Sequence, residues 1–596
     1  MRLPTGQRLL IALGVAGWLA GGGAVASRGE EIVRLPPYIV EGKLQGRPWR
    51  YARFPGFEVL SRCADSKSRA LAWSYDDAYR LAAAVLPRRF FGRFDVPTKL
   101  IFYSQSLWPA ALEESAAEIL RSGPLLLDIK PRPPPGAPTP FDAILAPDPL
   151  ISRQIYGPPP GEVSATTFGP KPVFFEDMRL TDDDAIVIFT VAPAENSGYY
   201  KTFLKPTFVA QLLAARTPSL PSWFVAGFLD LYERLEFAGD TITLKPFVWL
   251  DPEHTEAAKH DPAAVVRTWL PLVELLSEDS SAATRCSTGT AAMAAAQLRL
   301  FLRWALDPAD EKRREAFWGF LERACNEPVS EQLFQAAFGA SSQEVAANLA
   351  RYLRKAIRQP VTWNASRGDR PAMKFADASR ADSARIRGDW ERLQAAYVRE
   401  AKPEFVETYR AKARNTLEQA YDHGERDPAL LAVLGLCELD GGDTGQAEEL
   451  LTRATRAGIV RPKAYLELAR LKLAEFLGDP DRDGKLAPVQ TAALTQLLAS
   501  ARAQSPQILE TYQLALEIRE HSAAPPQPAD LAFLAGGAAA FPRSAELACR
   551  TAKIYLELGR NDEARALVEK ATQLGASDGY LHPLADLRAR LARRAP

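Results

Sequence analysis

A carboxylate-rich loop is the first stretch whose residue types could do chemistry. Asp479, Asp481 and Asp483 alternate along the chain before Gly484, which is the opening pattern of a calcium-binding EF-hand loop. The twelfth position of that loop is Gln490, where calcium binding calls for a bidentate glutamate. We therefore expect a polar connection between two helices, and calcium binding is the alternative.

Histidine, the commonest metal ligand and general base, is scarce in this chain. The five histidines are His254, His260, His423, His521 and His582. His254 and His260 lie in one polar connector with Glu253 and Glu256, but their spacing does not place two imidazoles on one helix face. We interpret both as solvated loop residues, and no cofactor is predicted.

An apolar helix pair is predicted over residues 205–237, KPTFVAQLLAARTPSLPSWFVAGFLDLYERLEF. Its second helix opens on Trp223 and Phe224. The first helix has two possible starts. If it begins near Tyr199, Pro206 lies in its interior and costs about 3 kcal/mol, whereas a helix that begins at Pro206 avoids this cost.

This helix pair resembles the peptidase-MA-like branch of the gluzincin metallopeptidases. In that family a helix carrying His-Glu-x-x-His is followed by a helix that opens Trp-Phe-x-Glu-Gly-x-x-Glu-Tyr. Trp223, Phe224 and Gly227 match the second motif. The resemblance covers residues 99–355 and implies an α+β zincin-like domain, with a small sheet, helices and a closing helical subdomain.

The groups that zinc chemistry needs are missing at the matching positions. Pro206, Thr207 and Ala210 stand where the family has histidine, glutamate and histidine, and Ala226 stands where it has the third ligand. A catalytic zinc needs imidazoles, a carboxylate and a base for the bound water, and none of these four side chains supplies one. The resemblance implies a pseudo-peptidase whose aromatic pair and glycine are kept for packing. The remnant cleft is either an open peptide groove or is filled by side chains such as Phe208.

A hydrolase that works through carboxylates alone is the alternative. Its candidate residues are Asp230, Glu233 and Glu236 beside the second helix, and the acidic run Asp182–Asp184. Acid–base catalysis needs paired groups within reach of one substrate bond, and the spacing of these residues singles out no such pair.

An export signal precedes the elements that must position these residues. Arg2 and Arg8 are followed by an apolar run from Leu9 to Ala20 and then by the small residues of 24–26. This pattern predicts a signal peptide over residues 1–26 and a periplasmic or extracellular protein. An uncleaved membrane anchor is the alternative, although the run is shorter than a bilayer span.

Residues 27–360 are expected to form the zincin-like domain with an N-terminal extension. Apolar runs predict strands at Phe57–Leu60, Lys99–Tyr103 and Ala185–Val191, and a helix over Leu71–Leu86. Repeated prolines predict a surface insertion at 131–161. Helical periodicity then covers residues 290–355, where Ser341 and Glu344 form a capping box.

Sets of three small residues recur in the C-terminal part of the chain, spaced by 12 and then 7 positions in the first and last sets and by a longer first interval in the two middle sets. We assign four sets: Gly435, Ala447 and Ala454; Ala469, Ala492 and Ala499; Ala515, Ala532 and Ala539; and Ala552, Ala564 and Ala571. A period near 34 residues with insertions is the tetratricopeptide signature. We predict an all-α tetratricopeptide-like solenoid over 427–596, preceded by a helical connector or atypical repeat over 361–426. A generic helical bundle is the alternative.

Composition limits the partners. The 73 basic residues balance the 73 acidic ones, which gives no support to a nucleic-acid or membrane-surface role. Cys286 and Cys325 either form a disulfide or act as buried fillers. The sequence predicts an exported, non-catalytic binding or scaffold protein that engages a protein or peptide through the solenoid or the remnant cleft, with no membrane span in the mature chain.

Overall fold

A computed structural model describes residues 48–104, 178–192, 205–238, 240–261, 265–267, 269–277, 288–365, 370–401, 403–478, 484–574 and 578–593. The predicted signal peptide, the insertion at 131–161 and the loop aspartates Asp479, Asp481 and Asp483 lie outside these residues.

Two sheets organise the N-terminal part of the described chain. Their strands are β1 (Arg50–Phe54), β2 (Phe57–Ser61), β3 (Thr98–Ser104), β4 (Met178–Thr181), β5 (Ile186–Ala192), β6 (Leu235–Ala238), β7 (Thr241–Leu244), β8 (Val361–Asn364) and β9 (Ala376–Asp377). The six-stranded sheet has the order β4-β5-β3-β2-β1-β9, and the three-stranded sheet has the order β6-β7-β8.

The three central strands of the larger sheet confirm the predicted strands. β2 pairs with β3 and β3 pairs with β5, both in parallel. Parallel strands are covered on both faces, which is why these segments are almost continuously apolar. The sequence did not predict β1, because Arg50 and Arg53 interrupt its apolar pattern.

Helices surround these sheets. They are α1 (Asp65–Val85), α2 (Pro206–Ala214), α3 (Ser222–Tyr232), α4 (Pro252–His260), α5 (Leu272–Leu275), α6 (Thr288–Leu306), α7 (Glu311–Ala324), α8 (Glu331–Phe338) and α9 (Ser342–Ala356). The Ser341–Glu344 capping box is present at the start of α9 and confirms its predicted beginning.

One long helix, α10 (Arg380–Ala401), covers the second face of the six-stranded sheet. Trp390 and Leu393 of α10 pack with Leu60, Ile101 and Val187 of the sheet. After residue 360, the predicted domain boundary, the chain returns to both sheets before α10 begins. β8 pairs with β7, and β9 pairs with β1.

Helical hairpins follow. After α10 come α11 (Val406–Asp422), α12 (Pro428–Gly441), α13 (Thr444–Arg456), α14 (Pro462–Leu477), α15 (Pro488–Arg502), α16 (Leu509–His521), α17 (Pro528–Ala540), α18 (Ala545–Glu557), α19 (Asn561–Gln573) and α20 (Asp578–Arg593). Residues 47–596 form one compact unit, so the hairpins pack onto the α/β region. Within the described residues, the structure contains no helix that is long and apolar enough to cross a bilayer.

Small residues mark the helix contacts in the α12–α13 and α18–α19 hairpins, as predicted. A Cβ added to Gly435 would lie 2.9 Å from Leu451 Cγ. Ala447 and Ala454 are fully buried. Ala564 and its two partners in the last set are also buried. These hairpins therefore pack as tetratricopeptide-like units.

The small-residue assignments in the two middle hairpins are wrong in part. Ala492, Ala532 and Ala539 are exposed. In the α16–α17 hairpin the close contact falls at Gly537, where an added Cβ would lie 2.4 Å from Tyr512 Cδ1. Runs of alanine and glycine allow several registers of the same spacing, and the spacing alone does not choose among them.

Candidate functional site

Helix α2 begins at Pro206, which selects one of the two predicted starts. Proline has no N–H to donate, and the first helical residue needs none, so this position costs no hydrogen bond. The preceding Lys205 adopts a left-handed backbone with φ 47° and makes no side-chain cap. Its ammonium lies 4.8 Å from the centroid of the Tyr75 ring. Packing against α1 therefore fixes the start of α2.

The four positions that match the zinc site lie on α2 and α3. Pro206, Thr207 and Ala226 are half-buried, and Ala210 is 1% exposed. The backbone carbonyl of Thr207 accepts a hydrogen bond from Arg179 of β4, which ties this turn to the edge strand of the larger sheet. Across the described parts of the chain, no three His, Cys, Asp or Glu side chains are grouped so that they could hold a metal ion.

The residues that match the second motif, Trp223, Phe224 and Gly227, pack against the helices that follow. The Trp223 ring lies 6.3 Å from that of Phe301 on α6. The Phe224 ring lies 6.1 Å from that of Phe317 on α7. A Cβ added to Gly227 would lie 2.6 Å from Leu302 Cδ1, so this residue lets α3 and α6 approach closely. All three retained residues therefore contact the helices that follow.

Phe208 packs into the core and leaves the region beside α2 unfilled. It is 2% exposed, and its ring lies 5.5 Å from that of Tyr75 and 5.7 Å from that of Phe57. A cavity of about 550 Å³ lies beside the C-terminal end of α2, and its lining includes Gln211. The Gln211 carboxamide is buried and has no hydrogen-bond partner in the structure.

That cavity has walls from both parts of the molecule. β4, α2 and α10 form one side, and Pro506 and Gln507, before α16, with Phe541, before α18, form the other. Arg216 in its lining is engaged, because its guanidinium donates to Glu322 at 2.7 Å and to the Arg89 carbonyl at 3.1 Å. The cavity therefore joins the α/β region to the solenoid.

The carboxylates beside α3 have basic neighbours. Asp230 accepts hydrogen bonds from Arg299 of α6 at 3.1 Å and from Arg234 at 2.9 Å. Glu236 forms an ion pair with Lys245. Asp230 joins α3 to α6, and Glu236 joins β6 to the residue that follows β7.

Charged side chains are concentrated where the larger sheet, α10 and the start of α14 meet. We name this group the junction cluster, and it consists of Lys99, Asp182, Asp184, Asp389, Arg392, Arg461 and Lys463. Apart from that of Lys463, these side chains are at most 5% exposed. Burial of an unpaired charge is costly, so the cluster is stable only because cations and carboxylates alternate within it.

Arg461, which immediately precedes α14, contacts three carboxylates. Its guanidinium lies 3.3 Å from Asp182, 3.1 Å from Asp184 and 2.9 Å from Asp389. Arg392 of α10 contacts Asp389 at 3.2 Å and also pairs with Asp182. One arginine from the solenoid and one from α10 thus share the same carboxylates.

Lys463 engages the rest of the acidic run. Its ammonium pairs with Asp182 and lies 2.7 Å from Asp183. Its backbone N–H donates to Asp184 at 2.8 Å. The acidic run, which was a candidate for carboxylate catalysis, is therefore the surface on which the solenoid docks.

A second set of charges fixes α10 on the sheet. Glu58 of β2 and Lys99 of β3 are register partners, and Arg385 and Asp389 lie one turn apart on α10. Arg385 donates to Glu58 at 2.7 Å, and Lys99 donates to Asp389. The opposite charges on the two strands face opposite charges on two successive turns of α10. They therefore match in only one position of α10 along the sheet.

The pKa values in the junction cluster follow from burial and from these partners. Burial alone would raise the pKa of Asp389, but the charges of Arg461, Lys99 and Arg392 hold it well below its usual range. Burial raises the pKa of Asp184, and the neighbouring Asp182 charge adds to the rise. Burial lowers the pKa of Lys99 despite its pairing with Asp389. Two carboxylates of one cluster therefore shift in opposite directions.

Further contacts lie just before the first helix of successive hairpins in the solenoid. Asp95 and Ser505 exchange two hydrogen bonds of 2.8 Å, just before α16. Arg543, just before α18, donates to the carbonyl of Ala324 at 2.9 Å. With Arg461 before α14, three successive hairpins contact the α/β region at equivalent positions.

The sequence analysis did not find Asp389, Arg392 or Arg461. The available signal was in α10, where charged residues alternate with the buried Ile386 and Trp390 on a face that should be apolar throughout. A charge on such a face predicts a buried partner. The partner itself is distant in sequence, so no local pattern identifies it.

The structure also describes the predicted histidines, Cys325 and Gln490. His254 and His260 lie in helix α4 rather than in a loop, and both are exposed. Cys325 is a free, buried thiol, which agrees with the buried-filler alternative. Cys286 lies outside the described residues. Gln490, at the twelfth position of the calcium pattern, accepts a hydrogen bond from the Ala487 N–H at 2.9 Å and caps α15.

Comparisons with known proteins identify no family for the whole chain. No protein-family model matches it. No curated protein sequence matches it either. Among solved structures, the crystal structure of a thermophilic TPR protein from Thermus thermophilus is similar over 32% of this chain and 93% of that chain, with 21% identity and a TM-score of 0.20. The tetratricopeptide-like character of the hairpins therefore rests on their own geometry.

Proposed function

We propose that this is a non-catalytic binding or scaffold protein, in which a pseudo-peptidase domain of zincin type and a tetratricopeptide-like solenoid act as one body. The observation that carries the proposal is the packing of the hairpins. Gly435, Ala447 and Ala454 lie buried at tetratricopeptide spacing between α12 and α13. Solenoids of this kind work by presenting a surface to a peptide or protein.

The α/β region supports the same proposal. The motif positions Pro206, Thr207, Ala210 and Ala226 supply no zinc ligand, and the aromatic residues beside them serve packing. The acidic run at 182–184 is engaged with the solenoid. A domain whose former chemistry has been replaced by packing and by docking contacts is suited to binding.

Export is part of the proposal. Arg2, Arg8, the apolar run and the small residues before Ser27 are its support. N-terminal sequencing of the protein from the producing cell is expected to begin at Ser27, and a chain that begins at residue 1 would contradict a cleaved signal peptide.

Metal content and hydrolysis test the non-catalytic part. The full chain, purified without chelators and incubated with a library of unstructured peptides, is expected to carry no stoichiometric zinc and to cleave none of them. Stoichiometric zinc accompanied by peptide cleavage would overturn the proposal.

The carboxylate-hydrolase alternative has its own variant. If cleavage occurs without zinc, Glu233→Gln is the variant to compare, because Glu233 is the acidic residue at the C-terminal end of α3. Loss of cleavage in this variant, with unchanged cleavage in Glu253→Gln of the exposed helix α4, would establish that the protein is an enzyme.

A further inference from the structure

The lining of the cavity beside α2 contains a polar side chain that the rest of the protein does not satisfy. Gln211 is 5% exposed and belongs to this lining, while its backbone carbonyl accepts the N–H of Ala215. Neither the oxygen nor the nitrogen of its carboxamide has a hydrogen-bond partner in the structure. A buried polar group without a partner is costly, so such a group in a cavity wall indicates a ligand site.

The size and walls of the cavity fit a small organic molecule. Its volume of about 550 Å³ lies within the range of about 300–1,000 Å³ that is typical of ligand sites, whereas one water needs only about 10–15 Å³. Apolar side chains from both parts of the molecule contribute to the lining, among them Ile186, Leu393 and Phe541. The lining does not include the four positions that match the zinc site, Pro206, Thr207, Ala210 and Ala226.

The charged side chains of the lining balance one another. They are two arginines and two aspartates, Arg179, Arg216, Asp182 and Asp183. Both aspartates accept hydrogen bonds from Lys463. Arg216 pairs with a glutamate of α7, and Arg179 donates to a backbone carbonyl of α2. All four are already bonded within the protein, and burial of a further charge without a counter-charge is costly, so the cavity favours an uncharged ligand.

We propose that this cavity binds a small, uncharged amide with an apolar body, an inference that rests on the proposed role as a binding protein. The carboxamide of Gln211 offers an acceptor and a donor side by side, and the amide group of a ligand offers the complementary donor and acceptor. A site that hydrogen-bonds both groups rejects analogues that lack one of them. Gln507 and Phe541 belong to the solenoid, so the bound amide contacts both parts of the molecule.

Calorimetric titration of the full chain tests this proposal. The probes are blocked dipeptides of the form acetyl-X-Y-amide, in which X and Y are alanine, leucine or phenylalanine. At least one of them is expected to bind. Its free-carboxylate form and its analogue with esters in place of amides are expected to bind about tenfold more weakly or worse. Absence of binding by every amide, or equal binding by the amide and the ester analogue, would overturn the proposal.

Substitution of Gln211 locates the bound amide. Gln211→Met keeps the length of the side chain and removes both polar atoms, so it is expected to weaken binding about tenfold without loss of thermal stability. Gln394→Met is the matched control and is expected to bind like the unchanged protein. Gln394 of α10 is 6% exposed and has a carboxamide oxygen without a partner, but it is not part of the lining. Equal losses of binding in both variants would overturn the proposal.

A second variant blocks the cavity and leaves Gln211 in place. Ala396 is an exposed residue of α10 in the lining, so Ala396→Trp is expected to fold normally and to abolish binding. Binding that survives in this variant would overturn the proposal. Cleavage of a bound probe would support the site but contradict the non-catalytic part of the proposed function. Absence of both binding and cleavage would overturn this inference alone.

Discussion

Helices α2 and α3 lie within the α/β region, whereas the junction cluster joins that region to the solenoid, and the two differ in their treatment of polar groups. In the helix pair, the positions that resemble a zinc site carry proline, threonine and alanine, and aromatic rings surround them. In the junction cluster, buried lysine and arginine side chains alternate with carboxylates. The four positions of the first region carry no metal ligand or base, whereas the second region contains such residue types without an evident substrate.

The difference shows that the partners of a buried charged group decide whether it can take part in chemistry or only in packing. A carboxylate has about four lone-pair sites, and bonds from two guanidinium groups and an ammonium occupy them, while its low pKa makes it a poor base. Asp389 is in this position. Buried ion pairs contribute less to stability than well-packed apolar residues would, but they define one arrangement of the parts that they join. We infer that the cluster fixes where the solenoid docks on the sheet.

Arg461→Met, in the junction cluster, is expected to cause the largest loss in the free energy of unfolding. It leaves three buried carboxylates with one fewer cation, and breaking a buried pair costs about 3–5 kcal/mol of the free energy of unfolding. Urea denaturation of the full chain measures the loss. Arg565→Met is the control, since Arg565 is 42% exposed and pairs at the surface with Asp562, which is 94% exposed. The control should lose at most about 1 kcal/mol, and equal losses in both variants would mean that the cluster is not what holds the solenoid.

Gly227→Ala tests the packing role of the retained motif and has an intermediate expected effect. The new methyl group would lie 2.6 Å from Leu302 Cδ1, so α3 and α6 must move apart or Leu302 must change rotamer. Overpacking of this kind costs about 1–3 kcal/mol. Gly319→Ala in α7 is the matched control, because its new methyl group meets nothing within 4 Å.

The control variant should show the opposite sign. Alanine is favoured over glycine inside a helix by about 1 kcal/mol, so Gly319→Ala should raise the free energy of unfolding. Thermal denaturation of both variants gives the comparison. A neutral or stabilising Gly227→Ala would show that the glycine is not needed for the α3–α6 contact.

Local sequence patterns predicted helices and strands, but they did not predict contacts between residues that are distant in the chain. The strand at residues 99–103 and the capping box of α9 follow from a few neighbouring residues, and the structure confirms both. The contact of Arg461 with Asp182 joins residues far apart in the chain, and no periodicity encodes it. The register of the alanine-rich hairpins failed for a related reason, because the choice among equivalent small residues depends on the partner helix.

Asp184→Asn has the smallest expected effect and compares two carboxylates within the cluster. Burial raises the pKa of Asp184, so folding disfavours its ionised form relative to the unfolded chain. The folded state therefore loses stability as pH rises from the unfolded value of about 4 through the raised pKa. Asparagine removes that cost and can still accept the Lys463 N–H, so the net change at pH 7 should stay below about 1 kcal/mol.

Asp389→Asn should show the opposite pH dependence. Its folded pKa is depressed, so the stability that it provides is present above about pH 4 and is lost as pH falls further. Urea denaturation between pH 7 and pH 4 should therefore show a large, nearly constant deficit for Asp389→Asn. As pH falls, the unchanged protein should gain free energy of unfolding, because protonated Asp184 no longer carries a buried charge. Asp184→Asn should not gain it, so the variant should become less stable relative to the unchanged protein. If both variants show the same pH dependence, the two carboxylates are equivalent, and the assignment of Asp389 as the shared partner of Arg461 and Arg392 is wrong.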